Sequence, residues 1–352
     1  MYQTKNDELV NEAVRQLTIC NACRYCEGFC DVWDSIETRR NFSKGDVFHL
    51  ANLCHDCRQC YYACPYTPPH EFGINIPKIL GEIRQFTYKE FAFPNFMRRI
   101  IDKSPLLYAI LTMLFFFVGL SYVIFNHGLN SLFSIRLGIS KVFPSYYFFS
   151  IEYSLYAYLL ILWSIQGYYY WKTISNGKKI DLNAVFKAVY DTLSHKNFKG
   201  GGAGCNYPSE EANYYRLSFH ALVMYGFLLD WITILFYPFK NYLLLSLYFI
   251  GSLMMTAGSA TTLFLNVITH SAPESENTSK FGNSLLALLL ISGITGIGFI
   301  LLFSQPEWVI FFLLRDSTII TIFLTAPYSK FVHPIYRFLS LVLNRKERVG
   351  QN

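Results

Sequence analysis

Two copies of one cysteine run constrain this chain more than anything else in it. Cys20, Cys23, Cys26 and Cys30 form a Cys-x2-Cys-x2-Cys-x3-Cys run, and Cys54, Cys57, Cys60 and Cys64 repeat it, followed by Pro65. Eight of the nine cysteines are used this way. A [4Fe-4S] cube needs four thiolates, and in paired runs of this spacing the fourth Cys of each run ligates the other cube. The expected sets are therefore Cys20, Cys23, Cys26 and Cys64 for one cluster, and Cys54, Cys57, Cys60 and Cys30 for the second. Crossing ties the runs together and keeps the clusters close enough for electrons to pass. A zinc site fits poorly, because zinc knuckles use paired cysteines with four ligands per metal. A disulfide framework fits worse, since the chain opens without a secretory signal. Asp31 stands where a proline would follow Cys30, but proline there shapes the turn and is not a ligand.

The remainder decides where such a carrier sits. Of 352 residues, 52% are hydrophobic, 18% aromatic and only 15% charged, and mean hydropathy is +0.25. That balance is not that of an ordinary soluble domain. Residues up to 104 are polar and charged, whereas 106–126, 146–171, 217–237, 242–267, 284–303 and 308–327 are long and nearly charge-free. Each reaches the roughly 17 to 25 residues that a spanning helix needs. Apolar core helices are the plainer alternative, but six of them exceed what one globular core can take.

Basic residues orient the spans. The 172–216 loop holds Lys172, Lys178, Lys179, Lys187, Lys196, Lys199 and Arg216, and the C-terminal end holds Lys330, Arg337, Arg345, Lys346 and Arg348. Arg84, Lys89, Arg98, Arg99 and Lys103 precede the first span, while the loops at 127–145, 238–241 and 304–307 are poorer in charge. Six spans with both ends in the cytoplasm is the consistent topology, which places the clusters in the reducing compartment. The division expected is a cluster domain at 1–93, a linker at 94–105, a membrane domain at 106–338 with its cytoplasmic loop 172–216, and a basic tail at 339–352. Amphipathic patterns at 7–18 and 76–86, with no alternating strand before Cys20, predict a helical ferredoxin domain, so the fold class is all-α. The 65–77 segment, rich in proline, reads as a loop around the second cluster.

Electrons entering a membrane need a second redox group there. His220 opens the third span and His333 follows the sixth, so both fall near the cytoplasmic boundary on different helices, as axial ligands of one b-type haem require. His49, His55, His70 and His195 read as surface or supporting residues, and His127 and His270 as interfacial ones. The 200–208 loop, Gly-Gly-Gly-Ala-Gly-Cys-Asn-Tyr-Pro, lacks the Gly-Lys-Ser/Thr ending of a phosphate loop and reads as a linker; Cys205 within it is a spectator.

The double cysteine run, this glycine loop, the segment 219–227 (Phe-His-Ala-Leu-Val-Met-Tyr-Gly-Phe) and the segment 327–333 (Pro-Tyr-Ser-Lys-Phe-Val-His) together resemble the tricarballylate/citrate utilisation protein B family. The membrane half also resembles the cytochrome b subunit of respiratory nitrate reductases, a bundle in which four histidines on two helices hold two haems. The resemblance implies a bacterial inner-membrane protein that reoxidises a flavin-dependent tricarballylate dehydrogenase, or one for a related organic acid, and delivers electrons to quinone. His220 and His333 match one haem pair. Asp230 and Arg315 stand where the second pair would be, which predicts one haem and a buried ion pair between them, with Asp316 as the other possible partner. No nucleic-acid partner is expected. The cysteine runs also occur in heterodisulfide-reductase-like and glycolate-oxidase-like complexes, and a membrane-bound redox sensor is a further alternative.

Overall fold

The computed structural model describes residues 2–97, 104–130, 132, 142, 145–235, 242–269, 273 and 276–349. Arg98, Arg99, Lys103, Tyr237, the 238–241 loop, most of the 127–145 loop, His270 and residues 350–352 lie outside them.

The cysteine-bearing part is built from α1 (Tyr2–Cys23), α2 (Asp31–Glu37), α3 (Lys44–Leu53), α4 (Gln59–Tyr62) and α5 (Ile76–Glu90). α1 runs past the patterned stretch 7–18 and carries Cys20 and Cys23 on its last turn. α3 starts in a capping box: Ser43 accepts from the Asp46 amide and the Asp46 carboxylate accepts from the Ser43 amide. α5 starts after Asn75, whose side chain accepts from the Lys78 amide at 3.1 Å, so the expected loop closes before Pro77. Leu17, Ile36, Val47, Leu50, Leu80 and Ile83 form the centre of this part, each at most 1% exposed.

The second half comprises α6 (Ser104–His127), α7 (Ser145–Ile174), α8 (Leu182–Leu193), α9 (Tyr215–Leu235), α10 (Tyr242–Ile268), α11 (Glu276–Leu301), α12 (Trp308–Thr325) and α13 (His333–Val349). A ribbon of two short antiparallel strands, β1 (Cys205–Asn206) and β2 (Ala212–Asn213), precedes α9. Among the described residues four helices are long and apolar enough to cross a membrane: Pro105–His127, Tyr242–Ile268, Gly282–Leu301 and Trp308–Tyr328. The other two expected spans are helical as α7 and α9, but Glu152, Gln166, Arg216, His220 and Asp230 make them less apolar. α9 and α10 touch backbone to backbone: a Cβ on Gly226 would lie 2.6 Å from the Met255 amide, and one on Gly258 would lie 2.8 Å from the Phe219 carbonyl.

Asp230 and Arg315 are both buried in the bundle, at 4% and 6% exposure, yet they do not form the expected ion pair. Asp230 points into the groove beside Gly251, where Ser252 donates to its two oxygens at 3.4 and 3.3 Å. Arg315 instead lays its guanidinium over the Tyr248 ring, 4.6 Å from the centroid. Tyr248 and Ser252, one turn apart on α10, thus hold the two charges separately, by a cation–π contact and a hydroxyl. No ion pair joins Arg315 to Asp316 either.

The stretch read as a tail is helical through Val349 as part of α13, with Tyr336, Ser340, Leu341, Val342, Leu343 and Asn344 buried against α3, α7 and α8. Its charges have partners on both halves: Arg345 meets Asp191, Glu347 meets Arg39 at 2.9 Å, and Arg348 meets Asp31 at 2.8 Å. The last turns of α7 reach the cluster domain, where Tyr170 donates to the Phe48 carbonyl at 3.2 Å and Gly45 lies against Thr173. A Cβ at Gly45 would overlap the Thr173 carbonyl oxygen, and backbone cannot move aside as a side chain can. Gly45→Ala should therefore cost about 1 to 3 kcal/mol, read as a lowered thermal midpoint by circular dichroism in detergent.

His49 is a correction to the sequence reading: it is 0% exposed, with Nε2 hydrogen-bonded to Ser35 Oγ at 3.1 Å. Burial, then the charge of Arg39, pulls its pKa to about 3. The unfolded chain takes up a proton below about 6.5 that the native chain refuses, so stability is lost as pH falls from about 6.5 toward 3. The slope from this one group is about 1.4 kcal/mol per pH unit. His49→Gln should flatten the fall in thermal midpoint between pH 7 and 5 relative to wild type.

Candidate redox site

The ends of α1 and α3 and the turns that follow them place the cysteines around two cavities. One is lined by Cys20, Cys23, Cys26 and Cys64, together with Tyr25, Trp33 and Tyr66. The other is lined by Cys30, Cys54, Cys57 and Cys60, together with Asp31, His55, Asp56 and Arg58. Each cavity has three cysteines of one run and the fourth of the other along its wall. Among the described residues no three His, Cys, Asp or Glu side chains converge as a site for a single ion. The thiols stand apart around a space between them.

The left-handed backbone at Arg24, Asp56 and Arg58, with φ of 55°, 55° and 64°, turns the chain tightly between cysteines. Amide groups also face sulfur: Asp56 N donates to Cys54 Sγ and Tyr66 N to Cys64 Sγ, both at 3.4 Å. Burial, then neighbouring thiols, pushes Cys26 up to about 12, and Cys20, Cys30 and Cys60 rise for the same reasons. Buried thiols that face one another in this way do not ionise together in the absence of positive charge, and an iron–sulfur core supplies that charge. The donor set therefore fits such a core.

The two cavities differ in their surroundings. Cys23 is exposed, and no Lys or Arg lines the first cavity. The second is enclosed by the glycine loop read as a linker. Asn206 N donates to the Cys57 carbonyl at 2.9 Å, a Cβ on Gly200 would sit 3.0 Å from Gln59 Oε1, and one on Gly201 would sit 3.0 Å from the Phe29 carbonyl. Cys205 is fully buried beside Cys57 and donates to the Phe198 carbonyl at 3.3 Å. Arg84, Arg216 and Arg337 reach main-chain carbonyls at 51 to 56, at the end of α3 and just beyond it. Burial, then the charge of Arg84, draws Arg337 down to about 9.

From the second cavity a file of rings leads to α9 and α13. His55 packs edge-on to Phe198 at 5.1 Å, and Phe198 lies 4.6 Å from His220. His220 and His333 have ring centroids 6.5 Å apart. His220 Nδ1 is hydrogen-bonded to His195 Nε2 at 3.2 Å, and His333 Nδ1 to the Lys330 carbonyl at 2.6 Å, so Nε2 is the nitrogen left on each ring for a metal. Two imidazoles bound through Nε2 to opposite faces of one metal, at about 2 Å per bond, have centroids roughly 6 to 6.5 Å apart. At that separation His220 and His333 could hold one metal between them.

Two family descriptions match the chain: Citrate utilization protein B Fer4-like domain over residues 13–90, and Citrate utilization protein B over residues 150–352. The Citrate utilization protein B of Escherichia coli is 31% identical over 364 residues, covering 94% of this chain and 90% of that protein. The chain belongs to the citrate utilization protein B family. No solved structure matches it.

Within this family member, the sequence pointed to the cysteines, His220 and His333 but not to Phe198 or to the part His195 plays. Neither sits in a motif, and only the fold of the 172–216 loop brings them to His220. His70 packs on Phe72 and on Tyr66, which lines the first cavity, whereas His127 Nε2 meets the Val142 carbonyl at 3.2 Å, away from the site. Gly204 has φ of 100°, and a Cβ there would overlap the Asn213 carbonyl oxygen. Gly204→Ala should open the loop, and Cys205, inert to a thiol reagent in the metal-loaded wild type, should then become labelled, as read by mass spectrometry of the peptide.

Proposed function

We propose that this protein carries electrons in a bacterial inner membrane, from a flavin-dependent dehydrogenase of the tricarballylate type to quinone. Two [4Fe-4S] clusters would be held by Cys20, Cys23, Cys26 and Cys64, and by Cys54, Cys57, Cys60 and Cys30. One b haem would be held by His220 and His333. When bound, each of these groups takes up and releases one electron at a time. All six long apolar segments cross the bilayer in this reading, with clusters, α8 and α13 on the cytoplasmic side. Supporting it are the family, the Fer4-like N-terminal domain and the four apolar helices.

The observation that carries the reading is the ring file from His55 through Phe198 to His220, which joins the wall of the second cavity to the histidine pair. His195 fixes the tautomer of His220, and the Lys330 carbonyl fixes that of His333. The 200–206 loop packs on Cys57, Gln59 and Phe29 beside the second cavity, and in this reading it shields reduced iron from water. Asp230 and Arg315, each held by α10, occupy the region a second haem would need, so a single haem is expected.

Anaerobically purified protein should contain about eight cluster irons per chain, with matching sulfide, plus haem iron. His220→Ala and His333→Ala should each abolish a low-spin b-type spectrum while leaving the cluster resonance signals. Cys64→Ser should damage the cluster of Cys20, Cys23 and Cys26. Only four cluster irons would reject the two-cluster reading, and a pyridine haemochrome assay that finds no haem would reject the haem.

A further inference from the structure

The two cysteine cavities are electrostatically unlike. Around the cavity of Cys30, Cys54, Cys57 and Cys60 stand four guanidiniums from four different elements. Arg58 lines it directly and is 1% exposed. Arg84 on α5 donates to the Ala51 carbonyl at 2.9 Å, Arg337 on α13 to the Cys54 carbonyl at 3.0 Å, and Arg216 on α9 to the His55 carbonyl at 2.8 Å. The acids lining the cavity are fewer. Asp56 is shared between Arg58 at 3.8 Å and Arg216 at 3.6 Å, and Asp31 is matched by Arg348 at 2.8 Å and Lys196 at 3.8 Å. Arg84 and Arg337 have main-chain carbonyls as their hydrogen-bond acceptors here, so both add positive charge that Asp31 and Asp56 do not offset. The cavity of Cys20, Cys23, Cys26 and Cys64 is lined by apolar and aromatic residues and cysteines alone, and its Cys23 and Tyr25 face solvent.

We propose that Arg58, Arg84, Arg216 and Arg337 raise the reduction potential of the inner cluster above that of the outer one. An electron delivered at the surface then settles beside the ring file to His220. This rests on the two-cluster reading and adds a direction to it. Reduction of either cube adds one electron and no bond is made or broken; the electron gained by the inner cube is the one lost by the outer cube. The inner cube gains a negative charge in a cavity that Arg58 lines, with three more guanidiniums behind it, and the outer cube gains it in a cavity whose lining holds no Lys or Arg. Burial alone acts the other way, because the more highly charged reduced form is worse off away from water. The excess of fixed positive charge, itself screened little by solvent, overrides that penalty.

A purely structural role is the competing account, since arginines satisfy the free carbonyls at the end of α3 whatever lies beside them. Potentials separate the two accounts. The full chain, purified anaerobically with its metal, is titrated redox-potentiometrically and followed by electron paramagnetic resonance. Cys23→Ser, which alters a ligand of the outer cluster, identifies which transition belongs to which cluster. The expected result is two one-electron transitions, the higher belonging to the inner cluster. Arg337→Gln and Arg58→Gln should each lower the higher transition about tenfold in its equilibrium constant, roughly 59 mV for one electron, and leave the lower unmoved. Arg337→Lys, which keeps the charge, should restore the wild-type value. Arg216→Gln gives the same reading from a half-exposed position if a buried variant loses its iron. Equal potentials, a higher outer potential, or Arg→Gln variants that retain two clusters with unchanged potentials would overturn the proposal while leaving the carrier reading in place. A wild type with a single cluster would instead remove the reading beneath it.

Discussion

Arg216 and Arg337, from the first turns of two different helices in the second half, donate to main-chain carbonyls at positions 52 to 56, where α3 ends and the second cysteine run begins. Much of the architecture depends on this junction. The last carbonyls of a helix have no partner within it and carry the negative end of its dipole, so guanidiniums are suited to them. The site that results is a joint between domains, with its cysteines on one side and its cations and covering loop on the other. Neither half alone would enclose the second cavity.

The same junction explains how a chain with few charges can place so many of them inside. Arg39 accommodates Asp46 at 2.7 Å and Glu347 at 2.9 Å, with all three side chains at most 13% exposed. Breaking such a buried pair costs about 3 to 5 kcal/mol because one charge is left uncompensated. α13 carries three of these partners, Arg345, Glu347 and Arg348, on one short helix whose other face packs Tyr336 and Leu343 into the core. It pins the cluster domain to α7 and α8. In the bundle, where such pairing would be strongest, Asp230 and Arg315 take a hydroxyl and an aromatic face instead, because Gly251 opens a groove for the carboxylate.

Much of this was legible in the residues. Period and composition located the helices at 7–18 and 76–86 and the long apolar segments, because a helical face or a spanning stretch is a property of neighbouring residues. Cysteine spacing announced which thiols would share a cavity, since the crossing rule concerns short local turns. His220 and His333 could be paired by their places at the ends of two apolar segments, and the fold brings their rings within 6.5 Å. The packing of the basic C-terminal stretch was not legible in this way: charge suggests solvent, but the partners of Arg345, Glu347 and Arg348 lie some 150 to 320 positions away and leave no local trace.

What the sequence determined by itself is a doubled cysteine framework joined to a series of apolar helices, because thiol spacing and hydrophobic length are fixed by covalent geometry and by the partition of side chains between water and oil. The tertiary structure decided the rest. It folded the glycine loop over one cavity and not the other, set Phe198 between His55 and His220, engaged His195 with His220, and gathered arginines from four elements around one set of sulfurs. These are contacts between residues up to about 280 positions apart, chosen by packing and by the need to satisfy buried carbonyls and charges.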